Sequence, residues 1–219
     1  MSKLNQLQSK RIIAVSVVIL ILFCDQLIKF HVKTSMPLHS SVNLLGNWAL
    51  LLFTENKGMA FGWDFVGTTL LTLFRFIAIG VLIWYLHKLI TKNYSLGYIF
   101  CVAAILAGAA GNIIDNLFYG LVYSESTPWT AATLVPFGTG YGGFLEGRVV
   151  DMFYFPVIDT YLPEWLPWKG GERFIFFSPI FNFADAAITC GGLAILFFYR
   201  KSFSKSLGNK DKQESTATE

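Results

Sequence analysis

Four runs of about twenty apolar residues constrain this chain more than anything else in it, because a helix of that length crosses the roughly 30 Å hydrocarbon core of a bilayer. They read as Ile12–Phe30, Thr69–His87, Tyr94–Ile114 and Ser178–Tyr199. The rest of the composition agrees. Of 219 residues, 54% are hydrophobic, 16% aromatic and 14% charged, whereas a soluble domain carries about one quarter charged residues. The mean hydropathy is +0.52. The expected fold class is membrane α-helical with four transmembrane helices. Lys10 and Arg11 precede the first run as they would in a signal peptide, but no small-residue cleavage site follows. It ends instead in the charged CDQLIKFHVK, so a retained first helix is expected.

Orientation follows from the cations. Lys3, Lys10 and Arg11 precede the first run, Lys88 and Lys92 separate the second from the third, and Arg200, Lys201, Lys205, Lys210 and Lys212 follow the fourth. These ten of the 17 Lys and Arg fall on one side, which the positive-inside rule makes cytoplasmic, together with both termini. The connections 31–68 and 115–177 then face outward. The net charge of +3 reflects that asymmetry and lends no support to nucleic-acid binding. Cys24, Cys101 and Cys190 all lie inside the runs without a CxxC pair and read as small apolar fillers.

In the first outer connection, NWALLLFTENKGMAFGW (47–63) reads as a short strand, a turn at ENKG and a second apolar run, giving a small β-rich extracytoplasmic element. The second connection is long enough to be functional in its own right. Its Tyr154, Tyr161, Trp165 and Trp168 suit the headgroup layer. One membrane domain is expected over 1–200, followed by a polar cytoplasmic tail over 201–219 whose KSLGNKDKQESTATE is expected to be disordered.

Four aspartates lie in or beside the apolar runs: Asp25, Asp115, Asp151 and Asp185. An Asp at mid-bilayer costs roughly 2.5–3.5 kcal/mol on insertion scales, so each must be offset or used. The predicted topology places Asp25, Asp115 and Asp185 in the outer leaflet, and Asp151 can return to that layer from the second connection. GNIID sets Asn112 three residues before Asp115, and FNFAD sets Asn182 three residues before Asp185, so each pair shares a helix face. A lone Asn in a membrane helix reads as interhelical glue at about 0.6 kcal/mol. Two Asn–Asp pairs and a further Asp at one depth read instead as a functional layer. Asp25 and Lys29, four apart with the acid first, read as a structural ion pair. Arg75, inside the second run, needs an anionic partner.

Two carboxyl groups sharing a site do not both ionise easily, so one can donate while the other acts as base. Such a pair activates water against an amide without a metal or a covalent intermediate. On the residues alone, Asp25, Asp115 and Asp151 remain open as partners for Asp185. Competing chemistries are weaker. His31, His39 and His87 are unclustered, and no HExxH, GxSxG, Walker sequence or GxGxxG occurs.

DQLIK (25–29), ENKGMAFG (55–62), GNIID (111–115), VVD (149–151) and FNFADAAI (181–188) together resemble the lipoprotein signal peptidase (signal peptidase II) family, in its order and over residues 25–188. The resemblance implies an aspartic endopeptidase that removes signal peptides from diacylglyceryl-modified prolipoproteins at the outer face of the bacterial inner membrane, with no cofactor. It implies that Asp151 and Asp185 are the catalytic dyad. It also implies that Asn112, Asp115 and Asn182 line and support the site, and that Asn56 and Gly58 belong to an outer cradle. Asp25 and Lys29 would support the site in the same way. Membrane lipids and globomycin-type inhibitors are the further partners implied. Two departures stand out. The family's usual Arg after the GNxxD aspartate is replaced by Asn116, and residues 117–147 read as an insertion forming an extra lid or platform. The rival readings are a small proton-coupled transporter, which would need polar residues toward the cytoplasmic side, and a noncatalytic membrane assembly factor.

Overall fold

The computed structural model describes residues 3–56 and 68–208. Gly58 and the MAFG stretch lie outside the described residues. The chain divides into two compact units. One comprises Met1–Phe23, Phe74–Gly111 and Ala184–Glu219, and the other Cys24–Leu73 and Asn112–Phe183.

The first unit is helical. Helix α1 runs Lys3–Ser35, α2 Thr68–Thr91 and α3 Leu96–Ile114. Among the described residues, three helical stretches are long and apolar enough to cross a membrane: Leu4–Ser35, Leu73–Thr91 and Leu96–Val122. A fourth is added if α5 (Phe183–Phe198) and α6 (Arg200–Leu207), bent by 89° at their junction, count as one. This is a multi-pass membrane protein. Helix α1 outruns the apolar run Ile12–Phe30 because neither flank contains Gly or Pro until Pro37. The fourth helix starts later than Ser178, since Pro179 cannot donate to a helix and disfavours helical backbone at the residue before it.

Leu86, Leu89 and Ile90 of α2 pack with Tyr98, Ile99, Val102, Ala103 and Leu106 of α3 and with Ala14 of α1. Contact between α3 and α5 is closer still. A Cβ on Gly108 would lie 2.3 Å from the carbonyl oxygen of Ala184, so only glycine permits the approach. At one end of this unit, Lys10 Nζ donates to Asn93 Oδ1 at 2.7 Å and to the Tyr94 carbonyl at 2.5 Å. Lys88 Nζ donates to the Ser206 carbonyl at 2.8 Å, and the Tyr85 hydroxyl bonds both Tyr98 and Ser206. The start of α1, the α2–α3 connection and α6 therefore gather at one end. Residues 201–207, expected to begin a polar tail, are helical.

The second unit is built on an antiparallel sheet of order β1-β2-β3-β6, comprising Ser41–Leu45, Ala49–Asn56, Val149–Tyr154 and Ile180–Phe181. A separate hairpin pairs β4 (Ile158–Tyr161) with β5 (Arg173–Phe176). Strand β2 fulfils the reading of NWALLLF. Strand β1 was not expected, and its five residues are all exposed. Phe53, Val150 and Met152 pack with Val32 of α1, with Met36 just beyond its end, and with Tyr119, Tyr123 and Ala132. Between β2 and β3, Leu51 pairs Phe153 but Thr54 pairs Asp151, three steps against two. The extra residue is a bulge beside Asp151, a device that re-aims side chains near sites.

The long connection is tied to the rest of its unit. Its first residues prolong α3 as a π turn, Asp115–Tyr119, and a last turn α4, Gly120–Val122. Beyond, Tyr123 bridges Leu134, Leu38 N donates to the Thr127 carbonyl at 2.9 Å, and Ala132 N donates to the Lys33 carbonyl at 3.1 Å. The segment is fastened to the end of α1.

Candidate active site

Strand β3 presents Asp151 by its pleat. Val150 and Met152 enter the core of the unit, so the residue between them turns to the opposite face. There Asn182 Nδ2 donates to Asp151 Oδ1 at 2.7 Å and to Asn112 Oδ1 at 3.1 Å. The same Asn112 oxygen accepts from Lys29 Nζ at 2.9 Å. Lys29 in turn pairs with Asp25 at 2.9 Å and Asp115 at 2.7 Å. Gln26 Nε2 donates to Asp25 at 3.1 Å and to Asp115 at 2.9 Å, while its oxygen accepts from the Tyr119 hydroxyl at 3.1 Å. A single polar chain thus runs from Asp25 through Lys29, Asn112 and Asn182 to Asp151.

Every member of that chain is buried. Buried charges are tolerated where they are paired and their remaining donors and acceptors are satisfied. Among the described residues, no buried side-chain nitrogen or oxygen lacks a partner. The pair DQLIK, read as structural, is therefore the cationic anchor of the same layer that holds Asn112 and Asp115. The π turn assists, because its wider spacing at 115–119 leaves Asp115, Asn116 and Tyr119 all buried.

Asn116, where the resemblance leads one to expect Arg, does a different job. Its Nδ2 donates to the Gly147 carbonyl at 2.7 Å, and Gly147 N donates to the Asn116 carbonyl at 3.0 Å. A Cβ at Gly147 would fall 1.9 Å from the Asp115 carbonyl oxygen. This splice brings the chain back from the long connection directly into β3, two residues before Val149.

Of the other expected residues, Asp185 is half-buried in the first turn of α5, three residues after Asn182. Asn56 closes β2 in register with Val149 and is exposed. Arg75 is half-buried in α2. Trp165 and Trp168 are exposed beyond β4, where the hairpin is tied by Arg173 to Asp159 at 2.8 and 2.5 Å. That hydrogen-bonded guanidinium holds the Asp159 carboxyl below its usual range. Among the described residues, no three His, Cys, Asp or Glu side chains gather as a metal site.

A second charged cluster escaped the sequence reading. Lys33, fully buried, bonds Glu55 and donates to Ser126 Oγ at 3.2 Å, under the rings of Tyr123 and Tyr141 at 5.3 and 5.0 Å. Arg148 bonds Glu55 and Glu125, each at 3.2 Å. Partial burial works against the Arg148 charge, but the two carboxylates outweigh it and leave its pKa raised. Burial, with the nearby charge of Asp115, pushes the Tyr123 hydroxyl up to about 12. The available signal was the four-residue spacing Asp25, Lys29, Lys33, which continues one helix face.

A buried carboxylate network that reaches one strand of a small sheet, in a chain with helices long and apolar enough to cross a membrane, defines a polytopic membrane protein with a candidate acid-based site. The family model described as "Signal peptidase (SPase) II" matches residues 17–200. The chain belongs to the signal peptidase II family. A lipoprotein signal peptidase of Porphyromonas gingivalis is 42% identical over all 219 residues and 96% of its own length. One from Amoebophilus asiaticus is 34% identical over 93% of this chain and 84% of its own. A solved structure described as a bacterial membrane enzyme, determined by the in meso method at 2.3 Å, is similar with a TM-score of 0.56 at 21% identity, covering 91% of this chain and 94% of that one. That likeness bears on the fold.

Proposed function

We propose that Asp151 and Asp185 form an aspartic dyad with which this signal peptidase II hydrolyses the bond before the lipidated Cys of diacylglyceryl-modified prolipoproteins. The observation that carries the reading is the 2.7 Å hydrogen bond from Asn182 to Asp151, because Asn182 lies just before the helix turn that carries Asp185. One ionised carboxylate takes a proton from water, whose oxygen attacks the scissile carbonyl. The protonated partner donates to the carbonyl oxygen, and a proton passes to the leaving amine as the C–N bond breaks. The pair titrates as a unit.

The topology in this reading has four spans, both termini cytoplasmic and the dyad near the outer face of the inner membrane. The positive-inside count supports it, as does the gathering of the start of α1, the α2–α3 connection and α6 at one end of their unit. The substrate's signal helix would lie among the spans and its acyl chains in lipid, so that remote binding energy orients the scissile bond. Globomycin-type inhibitors would occupy the same site. In this reading Asn56, Asn112, Asp115, Asn182, Asp25 and Lys29 support it.

The test uses purified protein in lipid and a diacylglyceryl-modified precursor. Asp151→Asn and Asp185→Asn each abolish product while their thermal melts stay close to the parent's. Cleavage retained in either variant overturns the dyad. No cleavage by the parent chain would instead favour a transporter or an assembly factor.

A further inference from the structure

Helix α6 is short, polar and turned aside, and no step of the proposed hydrolysis uses it. It leaves α5 at 89°. A helix at right angles to a span runs along the membrane surface. Its depth follows from α5, whose 16 residues rise about 24 Å, short of the roughly 30 Å core. The junction is therefore drawn toward the boundary between acyl chains and headgroups.

The side chains suit that layer. Ser206 is buried and fixed by Tyr85 and by Lys88, which sets the rotation of the helix. That rotation leaves Phe203 and Leu207, four residues apart, exposed at 42% and 63%. Next to them, Arg200, Lys201, Ser204 and Lys205 line an open groove of about 530 Å³. Among the described residues, none of the three cations makes an ion pair or a side-chain hydrogen bond. The unit's one carboxylate among the described residues, Asp185, belongs to the opposite end of α5. Lys10, Arg11, His87, Lys88 and Lys92 add further basic character at the α6 end. A surface with this much positive charge, and an apolar pair beside it, complements the anionic headgroups and acyl chains of a lipid leaflet.

We infer that α6 is an interfacial helix that binds anionic phospholipid, with phosphates in the Arg200–Lys201–Ser204–Lys205 groove and Phe203 and Leu207 among the acyl chains. The inference rests on α5 being a membrane span, as proposed above. It would fix the depth of α5, and with it Asp185, at the far end of the same helix.

The experiment reconstitutes the full chain in nanodiscs of phosphatidylcholine with graded phosphatidylglycerol and reads lipid retention by native mass spectrometry. The parent retains phosphatidylglycerol preferentially. At roughly fivefold per basic residue, the combined Arg200→Gln, Lys201→Gln and Lys205→Gln variant loses that preference by roughly 100-fold. Its cleavage of a precursor in detergent is unchanged, which shows that it is folded. A triple variant within threefold of the parent, or a parent that does not distinguish the two lipids, overturns the inference. Both leaflets of the nanodisc carry the same lipid, so this result does not depend on orientation. A fluorescent protein fused after Glu219 reads orientation separately, and it stays dark if that end is outside.

Discussion

Replacing Lys29 by Met tests whether one cation holds the polar layer together. The substitution keeps much of the side chain's apolar length but removes Nζ, which lies 2.9 Å from Asp25, 2.7 Å from Asp115 and 2.9 Å from Asn112 Oδ1. The two carboxylates stay 1% and 0% exposed. Gln26 still donates to both, but the ammonium that pairs with them is gone. Breaking a buried pair by removing one partner costs about 3–5 kcal/mol, because the surviving charge keeps its desolvation penalty. For a chain of this size each kcal/mol moves the melting midpoint by roughly 2–4 °C, so Lys29→Met should melt roughly 6–20 °C below the parent. Intrinsic tryptophan fluorescence in detergent reads the transition. The cause is isolated by a triple variant, Asp25→Asn, Lys29→Met and Asp115→Asn, which buries no unpaired charge and should recover more than half of the loss. A single variant melting within about 2 °C of the parent refutes the reasoning, and so does a triple variant no more stable than the single.

Asn182→Ala removes the hydrogen bond to Asp151, worth about 1.5–3 kcal/mol to a charged group. If that bond is needed in the transition state, kcat/KM falls roughly 10- to 150-fold, mostly in kcat, and an unchanged kcat in a precursor assay would dissociate Asn182 from the chemistry. Asp115→Asn keeps an oxygen for Lys29, which still has Asp25, so it should lower stability by about 1–3 kcal/mol and leave measurable turnover. If it is as inactive as Asp151→Asn, Asp115 belongs to the reaction. The β4–β5 hairpin carries a pH dependence set by Asp159, whose carboxyl Arg173 holds low. A depressed folded pKa gives stability that is fully present above the unfolded value of about 3.9 and is lost as pH falls through the folded one. Amide protection across Thr160 and Phe174 should therefore weaken below about pH 4 in the parent but not in Arg173→Gln, and equal profiles would rule this out.

The parts of this molecule that the sequence disclosed are those set by spacing along one element. Apolar length marked the long helices, since a bilayer crossing needs about twenty residues whatever surrounds it. The four-residue step from Asp25 to Lys29 gave an ion pair that the structure contains. What escaped depends on partners far apart in sequence. Ile180 and Phe181 read as the start of a span, yet they pair with Tyr154 and Phe153 as a strand. Lys33 finds Glu55 and Ser126, 22 and 93 residues away. Asn116 looked like a missing Arg, and only the return of the chain at Gly147 shows what the amide binds. Local pattern carries no information about such closures.

The two Asn–Asp motifs show where spacing stops and electrostatics begins. GNIID and FNFAD looked equivalent, and their asparagines do meet, with Asn182 donating to Asn112 at 3.1 Å. Their aspartates part company. Asp115 is fully buried against Lys29, accepts from Gln26 and lies 3.4 Å from the Val150 amide. Losing Asp115 would leave Lys29 with Asp25 alone to compensate its buried charge. Asp115 is thereby suited to hold the layer. Asp151 accepts from the Asn182 amide at 2.7 Å. Such a donor orients a carboxyl, which is what the proposed dyad asks of Asp151, and in that proposal the supporting role falls to Asp115.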